Sequence, residues 1–429
     1  MTMTTQTLPK IPLAIDAYVA QLQTDLFDAA SADSVRTFDL DKMLCSPELL
    51  RFAATQVAQA KGGNAPGSDG VVLRGMAETA LAKMLKDLAA DIDSEQYQPS
   101  PVKTVVANEG DGAEIAILTA RDRILQQGLS LLFYPLVESE LSDSSYGGRP
   151  GIEPRDALLD IAMAIRKVSG QCFIIRAGAD EFFERISHAR LEDVLSRRIL
   201  DKKVRSIISK QLSMWGSRPG YGLPQGAPLS SLMTNWYLAS IDRFFEGKSD
   251  IVYFRYLGEF VIVVPGTVPQ AQSVLEDLEG ELNRLELRLD ATTRIAEVTA
   301  GVEFLGVHIR RNTATHAEIQ IAEKSYEDAV RQINHISSKP LGVNIMGEQL
   351  RAAIAEWFAY YAEFSSTMAA RARTTLERRA SAAINRGARR RPVPAFERRA
   401  FVSFGSNDIP TCNAIAENAR VAAATPGRR

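Results

Sequence analysis

The residues able to do chemistry in this chain lie mostly in three short stretches. CFIIRAGADEFFERISHARL (172–191) and IVYFRYLGEFVIVV (251–264) each carry an apolar run of strand type into a polar break, at Arg176–Ala179 and at Leu257–Glu259. Around those breaks stand the carboxylates Asp180, Glu184 and Glu259. Between the two lies GYGLPQGAPLSSLMTNWYL (220–238), a Gly/Pro-rich turn feeding a mostly apolar run that reads as a buried helix. Carboxylates at the ends of adjacent strands are the oxygen donors that hard divalent cations require. Two such cations, about 3.5–4 Å apart, can clamp the attacking and leaving oxygens of an in-line displacement. The cationic chemistry lies elsewhere. Between Arg371 and Arg399 there are ten arginines against two glutamates, although the whole chain has a net charge of −2. The remainder is therefore acidic, which points to one local basic patch for a polyanion.

The three stretches resemble motifs A, B and C of reverse transcriptases, most closely those of bacterial group II introns, and GLPQGAPLSSLMTNWYL carries the resemblance furthest. The resemblance implies an α+β right-hand polymerase fold with fingers, palm and helical thumb. It also implies metal-binding carboxylates at three positions, occupied here by Gly178, Gly258 and Glu259. Asp180 lies two residues past the strand end and Glu184 matches a further family Asp, so neither replaces the missing ligand in register. Mg²⁺ tolerates little departure from octahedral oxygen geometry, so glycine at two ligand positions argues against metal binding. No cofactor is expected, and Mg²⁺ only if the chain is an active enzyme with unorthodox ligands.

Further blocks extend the resemblance over residues 61–390. APGSDGV resembles the loop that opens the fingers, with Asp69 and Gly70 in place; positive-φ turn glycines alone also explain it. Strands at Val102–Val106 and Glu114–Leu118 form the fingers hairpin. The family's triphosphate-binding Lys and Arg fall there on Ala107 or Asn108 and on Ala113 or Glu114, beside Glu109 and Asp111. Carboxylates in those places repel a polyphosphate. TARDRILQQGL matches with Asp122, Arg123 and Gln126, and the next block with Tyr146, Arg149, Pro150 and Gly151. Arg149 either contacts template backbone or fixes its loop. Phe183 matches the aromatic that excludes a ribose 2′-hydroxyl, and it also plugs the core. Gln225 and Gly226 match residues near the template–primer backbone, Tyr256 a nucleotide-pocket position, and Asn235 the helix behind. His188 reads as a helix-capping residue rather than a catalytic one.

The positional elements follow. Helices are expected at Ile15–Phe27, Pro47–Ala60, 76–92, Asp156–Val168 and Pro269–Leu285, with a strand at Leu287–Leu289. Thr292 or Thr293 stands where motif D has its Lys. VEFLGVHIRR (302–311) resembles motif E, and within it VEFLGVHI alternates as a half-buried strand should. From Ser325 the chain is expected to be helical, resembling a thumb, with Trp357, Tyr360 and Tyr361 as core aromatics. The divisions are 1–60 for an N-terminal helical extension, 61–170 for fingers, 171–311 for palm, 312–400 for thumb and 401–429 for a tail.

Cys45, Cys172 and Cys412 lack metal-type spacing, no apolar run nears the ~20 residues of a membrane span, and MTMTTQTLPK lacks signal-peptide character. A cytoplasmic protein with reduced thiols is the expectation. The functional expectation is a reverse-transcriptase scaffold that binds RNA, or a protein partner, without polymerising. RNA contacts are expected from Arg371, Arg373, Arg378, Arg379, Arg389, Arg390 and Arg391. The alternatives are an active RNA-directed DNA polymerase, or a structural subunit paired with an active reverse transcriptase in a mobile element or phage defence system.

Overall fold

In the computed structural model, the described residues are 13–32, 38–60, 62–106, 114–216, 218–313, 316–364 and 366–390. The chain divides into two compact units, Met1–Leu305 with Ile309–Glu318, and Gly306–His308 with Ile319–Arg429.

The first unit begins with helices α1 (Leu13–Ser31), α2 (Leu40–Leu44), α3 (Pro47–Gln59) and α4 (Glu78–Asp93). α3 starts where Ser46 Oγ accepts from Leu49 N at 3.3 Å and Pro47 occupies the first turn, a strong start signal. The hairpin β1 (Lys103–Val106) and β2 (Glu114–Ile117) precedes α5 (Ala120–Glu138), whose cap Thr119 accepts from Asp122 N. Ile124, Leu125, Leu129, Leu132 and Phe133 of α5 are buried, and α1 and α3 pack on it.

Next come α6 (Pro154–Lys167), β3 (Cys172–Gly178), α7 (Phe182–Arg185), α8 (His188–Arg198), α9 (Lys202–Leu212) and α10 (Ser230–Glu246). Then follow β4 (Val252–Tyr256), β5 (Glu259–Pro265), α11 (Val268–Arg284), β6 (Arg294–Glu297) and β7 (Val302–Phe304). Strands β4-β5-β3-β6, in that order, form an antiparallel sheet. Its central strands bury Ile174, Ile175, Phe260, Val261 and Ile262 completely, with α6, α10 and α11 packed against the sheet. Full burial of each such side chain contributes roughly 1.5–3 kcal/mol, which holds the strand ends, where the chemistry is expected, in fixed register.

β8 (Val307–Thr313) and β9 (His316–Ile321) complete a three-stranded sheet ordered β7-β8-β9. Two sequence expectations change here. VEFLGVHI is not one strand: Leu305 and Gly306, at φ 46° and 78°, turn the chain between β7 and β8. The stretch Leu287–Leu289 forms no named strand and contributes only a bridge from Leu289 to Ala179, while β6 lies five residues further on. Alternation alone does not register a tight two-residue turn or tell a bridge from a strand.

The second unit holds α12 (Glu323–Ser338), α13 (Val343–Ala362) and α14 (Ser366–Arg390), packed mutually. Its core contains Ile333, Leu350, Ile354, Leu376, Ala380 and Ile384. No described helix is long and apolar enough to cross a membrane.

Candidate functional site

The ends of β3 and β5 meet with Gly178 opposite Glu259 and Ala177 opposite Phe260. Beyond the strand, Ala179 N donates to the Gly258 carbonyl at 2.8 Å and Asp290 N to the Gly178 carbonyl at 2.7 Å. The expected polar break at Arg176–Ala179 therefore starts later than its composition suggests, because β3 continues through Gly178. Side chains two apart on a strand share a face, so Arg176 stands beside the position that Gly178 leaves bare.

Arg176 fills that region with its guanidinium. Nη1 lies 3.0 Å from Asp290 Oδ2 and also donates to the Thr292 hydroxyl, while Nη2 lies 3.4 Å from Glu259 Oε2. Asp290 accepts further from Thr292 N at 3.0 Å and from the Thr292 and Thr293 hydroxyls at 2.9 Å. Burial raises the Asp290 carboxyl, but the donors Thr292, Thr293 and Arg176 outweigh it and hold the group below the usual carboxylate range. A Cβ on Gly178 would run into the Asp290 carboxylate.

The second glycine is closed differently. The β4–β5 turn is Leu257–Gly258, with Leu257 at φ 52°, a left-handed conformation costly for a branched residue. A Cβ on Gly258 would lie 2.6 Å from the Phe182 ring. Phe182 is buried and meets Phe183 edge-on at 5.3 Å, so the aromatic pair occupies the space on this side of the turn. On the other side Gly147 approaches so closely that a Cβ would lie 2.6 Å from Leu257 N.

The three nearby carboxylates do not share one site. Asp180 pairs with Arg288 at 2.9 Å and Arg185 at 3.5 Å. Glu184 accepts from Gln225 Nε2 at 3.1 Å, and Glu259 pairs with Arg176. An acidic cluster of Asp180, Glu184 and Glu259 is thus not formed, because each has a separate cationic or amide donor. Among the described residues no group of three or more His, Cys, Asp or Glu side chains is arranged to hold a metal ion. The oxygens present do not fit a two-metal centre, since those nearest Gly178 are engaged by a guanidinium and two hydroxyls.

The loop before α10 is fixed from beneath. Gly222 N donates to the Ile186 carbonyl and Leu223 N to that of Phe183, both at 2.8 Å. His188 is buried, and its Nε2 donates to the Gly222 carbonyl at 2.7 Å, so it ties this loop down instead of capping α8. Gly226, at φ 83°, sits beside Gln225, whose carbonyl accepts from Ala116 N at 3.2 Å. Behind the turn, the fully buried Arg255 pairs with Asp242 through Nε at 2.7 Å and Nη2 at 2.6 Å. Its Nη1 reaches Asn235 Oδ1 at 2.9 Å, and Tyr253 also donates to Asp242. Burial lowers the Arg255 guanidinium, but Asp242 more than compensates and raises it. Tyr256 is half-buried, and burial raises its phenol.

Residues 113–309 match the reverse transcriptase (RNA-dependent DNA polymerase) family. The likeness of these residues is to a reverse transcriptase domain. The chain is related to group II intron-encoded proteins. It is 26% identical over 359 residues to protein YkfC of Escherichia coli, covering 73% of this chain and 94% of that protein. It is 24% identical over 221 residues to the putative COX1/OXI3 intron 2 protein of Saccharomyces cerevisiae, covering 48% of this chain and 24% of that one. The group II intron-encoded protein LtrA of Lactococcus lactis is 25% identical over 214 residues, 48% of this chain and 35% of its own length. The chain thus spans most of YkfC but only a quarter to a third of these two intron proteins.

Gly178, Gly258, Glu259, Arg149, Phe183, Gln225, Gly226 and Tyr256 all fall inside the matched residues. Arg149 donates to Glu138 through Nε at 3.0 Å and through Nη2, and to the carbonyls of Ser142 and Ser145 through Nη1. This is the loop-fixing arrangement. Asp122 is likewise structural, accepting from Tyr97 Oη at 2.6 Å, Thr119 Oγ1 at 2.7 Å and Ser100 N at 3.1 Å. Gln126 is fully buried in α5. Asp69 accepts from Ala120 N at 3.1 Å, anchoring the 62–71 loop in which Gly70 takes φ 77°. The positions expected to form the fingers hairpin's phosphate contacts, Ala107, Asn108, Glu109, Asp111 and Ala113, and the side chain of Glu114, lie outside the described residues.

The arginines of α14 lie beyond the matched domain. Arg371, Arg378 and Arg379 are exposed, whereas Arg373 pairs with Glu377 at 2.7 Å and covers the Phe358 ring at 4.7 Å. Arg391 and the side chains of Arg389 and Arg390 lie outside the described residues. Tyr361 is buried, Trp357 meets its ring at 4.7 Å, and Tyr360 stacks on it edge-on at 4.8 Å.

The sequence marks Gly178, Gly258 and Glu259, which the fold brings to neighbouring strand ends, but does not mark Arg176, Asp290 and Phe182, which fill the space around them. One signal was present: a lone Arg in the run CFIIRAG needs an acceptor wherever the strand pairs.

Proposed function

We propose that this chain is a reverse-transcriptase scaffold that binds RNA without polymerising on it. The observation carrying the reading is that the spaces beside Gly178 and Gly258, where the resemblance implies metal-binding carboxylates, are filled by other side chains. Asp290 and Arg176 take the space beside Gly178, and the Phe182 ring takes that beside Gly258. Glu259, the remaining carboxylate at those positions, faces Arg176. Divalent cations need several unencumbered oxygens in near-octahedral array, and without them neither the attacking hydroxyl nor the leaving pyrophosphate is stabilised. RNA binding is assigned to the second unit, where Arg371, Arg378 and Arg379 of α14 are exposed. The buried face of the same helix, Ala369, Leu376, Ala380 and Ile384, holds it in the three-helix core.

The test is primer extension on RNA and DNA templates with Mg²⁺ and with Mn²⁺. No template-dependent incorporation is expected. Incorporation that Glu259→Ala abolishes would show an active polymerase with unorthodox ligands.

A further inference from the structure

We propose that the Arg176 guanidinium is the resident cation of the domain's catalytic position, balancing the charge a two-metal polymerase balances with divalent ions. The inference deepens the non-polymerising reading, since it requires Glu259 and Asp290 to be committed within the protein.

Geometry carries it. Arg176 is only 16% exposed, and its two terminal nitrogens reach carboxylates from two separate segments, Glu259 on β5 and Asp290 beyond α11. Those segments flank the end of β3 on either side: Glu259 is paired with Gly178 across the sheet, and Asp290 N bonds to the Gly178 carbonyl. A planar guanidinium with fixed forked donors can serve two carboxylates and the Thr292 hydroxyl together, which a point-like ammonium cannot do equally well. Its absence would leave the largely buried Asp290 carboxylate and the more exposed Glu259 carboxylate flanking the end of β3 with no cation between them. Two carboxylates left without their shared cation repel more strongly where the dielectric is reduced.

A second observation agrees. Arg176 stands directly opposite Arg294 in the β3–β6 register, and like charges in that relation destabilise a sheet. Arg294 is exposed and tolerates this placement because Arg176 is already neutralised by its carboxylates. The glycine at 178 belongs to the same arrangement, since any side chain there would displace the Asp290 carboxylate from the guanidinium.

The experiment is a charge-neutralisation cycle on the full chain, read by thermal melting in metal-free buffer. Arg176→Met should lower Tm by about 3–6 °C. The triple variant Arg176→Met, Glu259→Gln, Asp290→Asn should recover at least half of that loss, because no uncompensated charge remains. Arg176→Lys, which keeps the charge but not the fork, should fall between wild type and Arg176→Met. If Arg176→Met is insoluble while the triple variant folds, the same conclusion holds in stronger form. A triple variant no more stable than Arg176→Met, or equally insoluble, overturns the proposal, as does an unchanged Tm in Arg176→Met. Melting involves neither RNA nor nucleotide. Primer extension by the wild type would refute the non-polymerising reading without altering the cycle, whereas an unrescued triple variant would refute the resident cation alone.

Discussion

Asp290 links a local contact to a measurable pH dependence. Its folded carboxyl is held below the usual range by Thr292, Thr293 and Arg176 against the opposing effect of burial. A depressed folded pKa contributes stability that is fully present above the unfolded value, about 3.9. That contribution is lost as pH falls through the folded value. Melting temperature should therefore hold down to about pH 4 and decline more steeply below it in wild type than in Asp290→Asn. Parallel profiles for the two proteins would mean that the carboxylate is not engaged as described. Glycine substitutions separate the two halves of the site. At Gly258 the obstacle is the Phe182 ring close to its backbone, so Gly258→Ala should destabilise by about 1–3 kcal/mol. At Gly178 the obstacle is the end of the Asp290 side chain, which can swing away at the cost of its bonds to Arg176, so Gly178→Ala should cost less. Chemical denaturation of both variants checks the order, and a reversed order contradicts the packing at the turn. Residue types were enough to mark both glycines and Glu259, because a motif fixes positions along a strand. They could not mark Asp290, which lies more than a hundred residues from Arg176 and joins it only once β3 has neighbours on both sides.

At the scale of elements, the turn between β4 and β5 depends on a polar network in an apolar surround. Arg255 and Asp242 are both essentially unexposed, and Asn235 and Tyr253 complete their hydrogen bonds. Removing one partner of a buried pair leaves an uncompensated charge, which typically costs about 3–5 kcal/mol. Asp242→Ala should therefore lose stability in that range and loosen the hairpin carrying Gly258, measured by denaturation and by faster amide exchange along β4. Normal exchange with only a small loss of stability would show that the pair is dispensable to the turn. Helices were legible in this sequence where an apolar stripe is long: α1, α3, α4, α6 and α11 all lie within a few residues of expectation. The failures share a cause. β7, three residues long, is too short for alternation to reveal the Leu305–Gly306 turn after it, and nothing local in Leu287–Leu289 distinguishes a single bridge from a paired strand. The role of His188 was misread for the same reason, since its acceptor, the Gly222 carbonyl, comes from a distant loop.

At the scale of the whole molecule, charge is divided unevenly along the chain. The arginines between 371 and 399 outnumber the acids there ten to two while the net charge is −2, so attraction for a polyanion is concentrated in one region. Each phosphate neutralised on a single strand contributes roughly −0.7 to the slope of log affinity against log salt. Engagement of about four to six arginines would give a slope on the order of −3 to −4. Arg371, Arg378 and Arg379 are exposed on α14 and clear of its packed face, so replacing all three by Ala should leave the helical core intact. The slope should then flatten by up to about two units. Arg373 is expected to contribute least, because Glu377 and the Phe358 ring already hold it, and Arg373→Ala should instead lower stability slightly. Replacing Arg389, Arg390 and Arg391 is a parallel arm that extends the test along the sequence. A filter-binding titration of single-stranded RNA across several salt concentrations measures each slope. If wild type fails to bind RNA at low salt, or if both triple variants keep its slope, the arginines serve to solvate the second unit. The scaffold's partner would then be a protein.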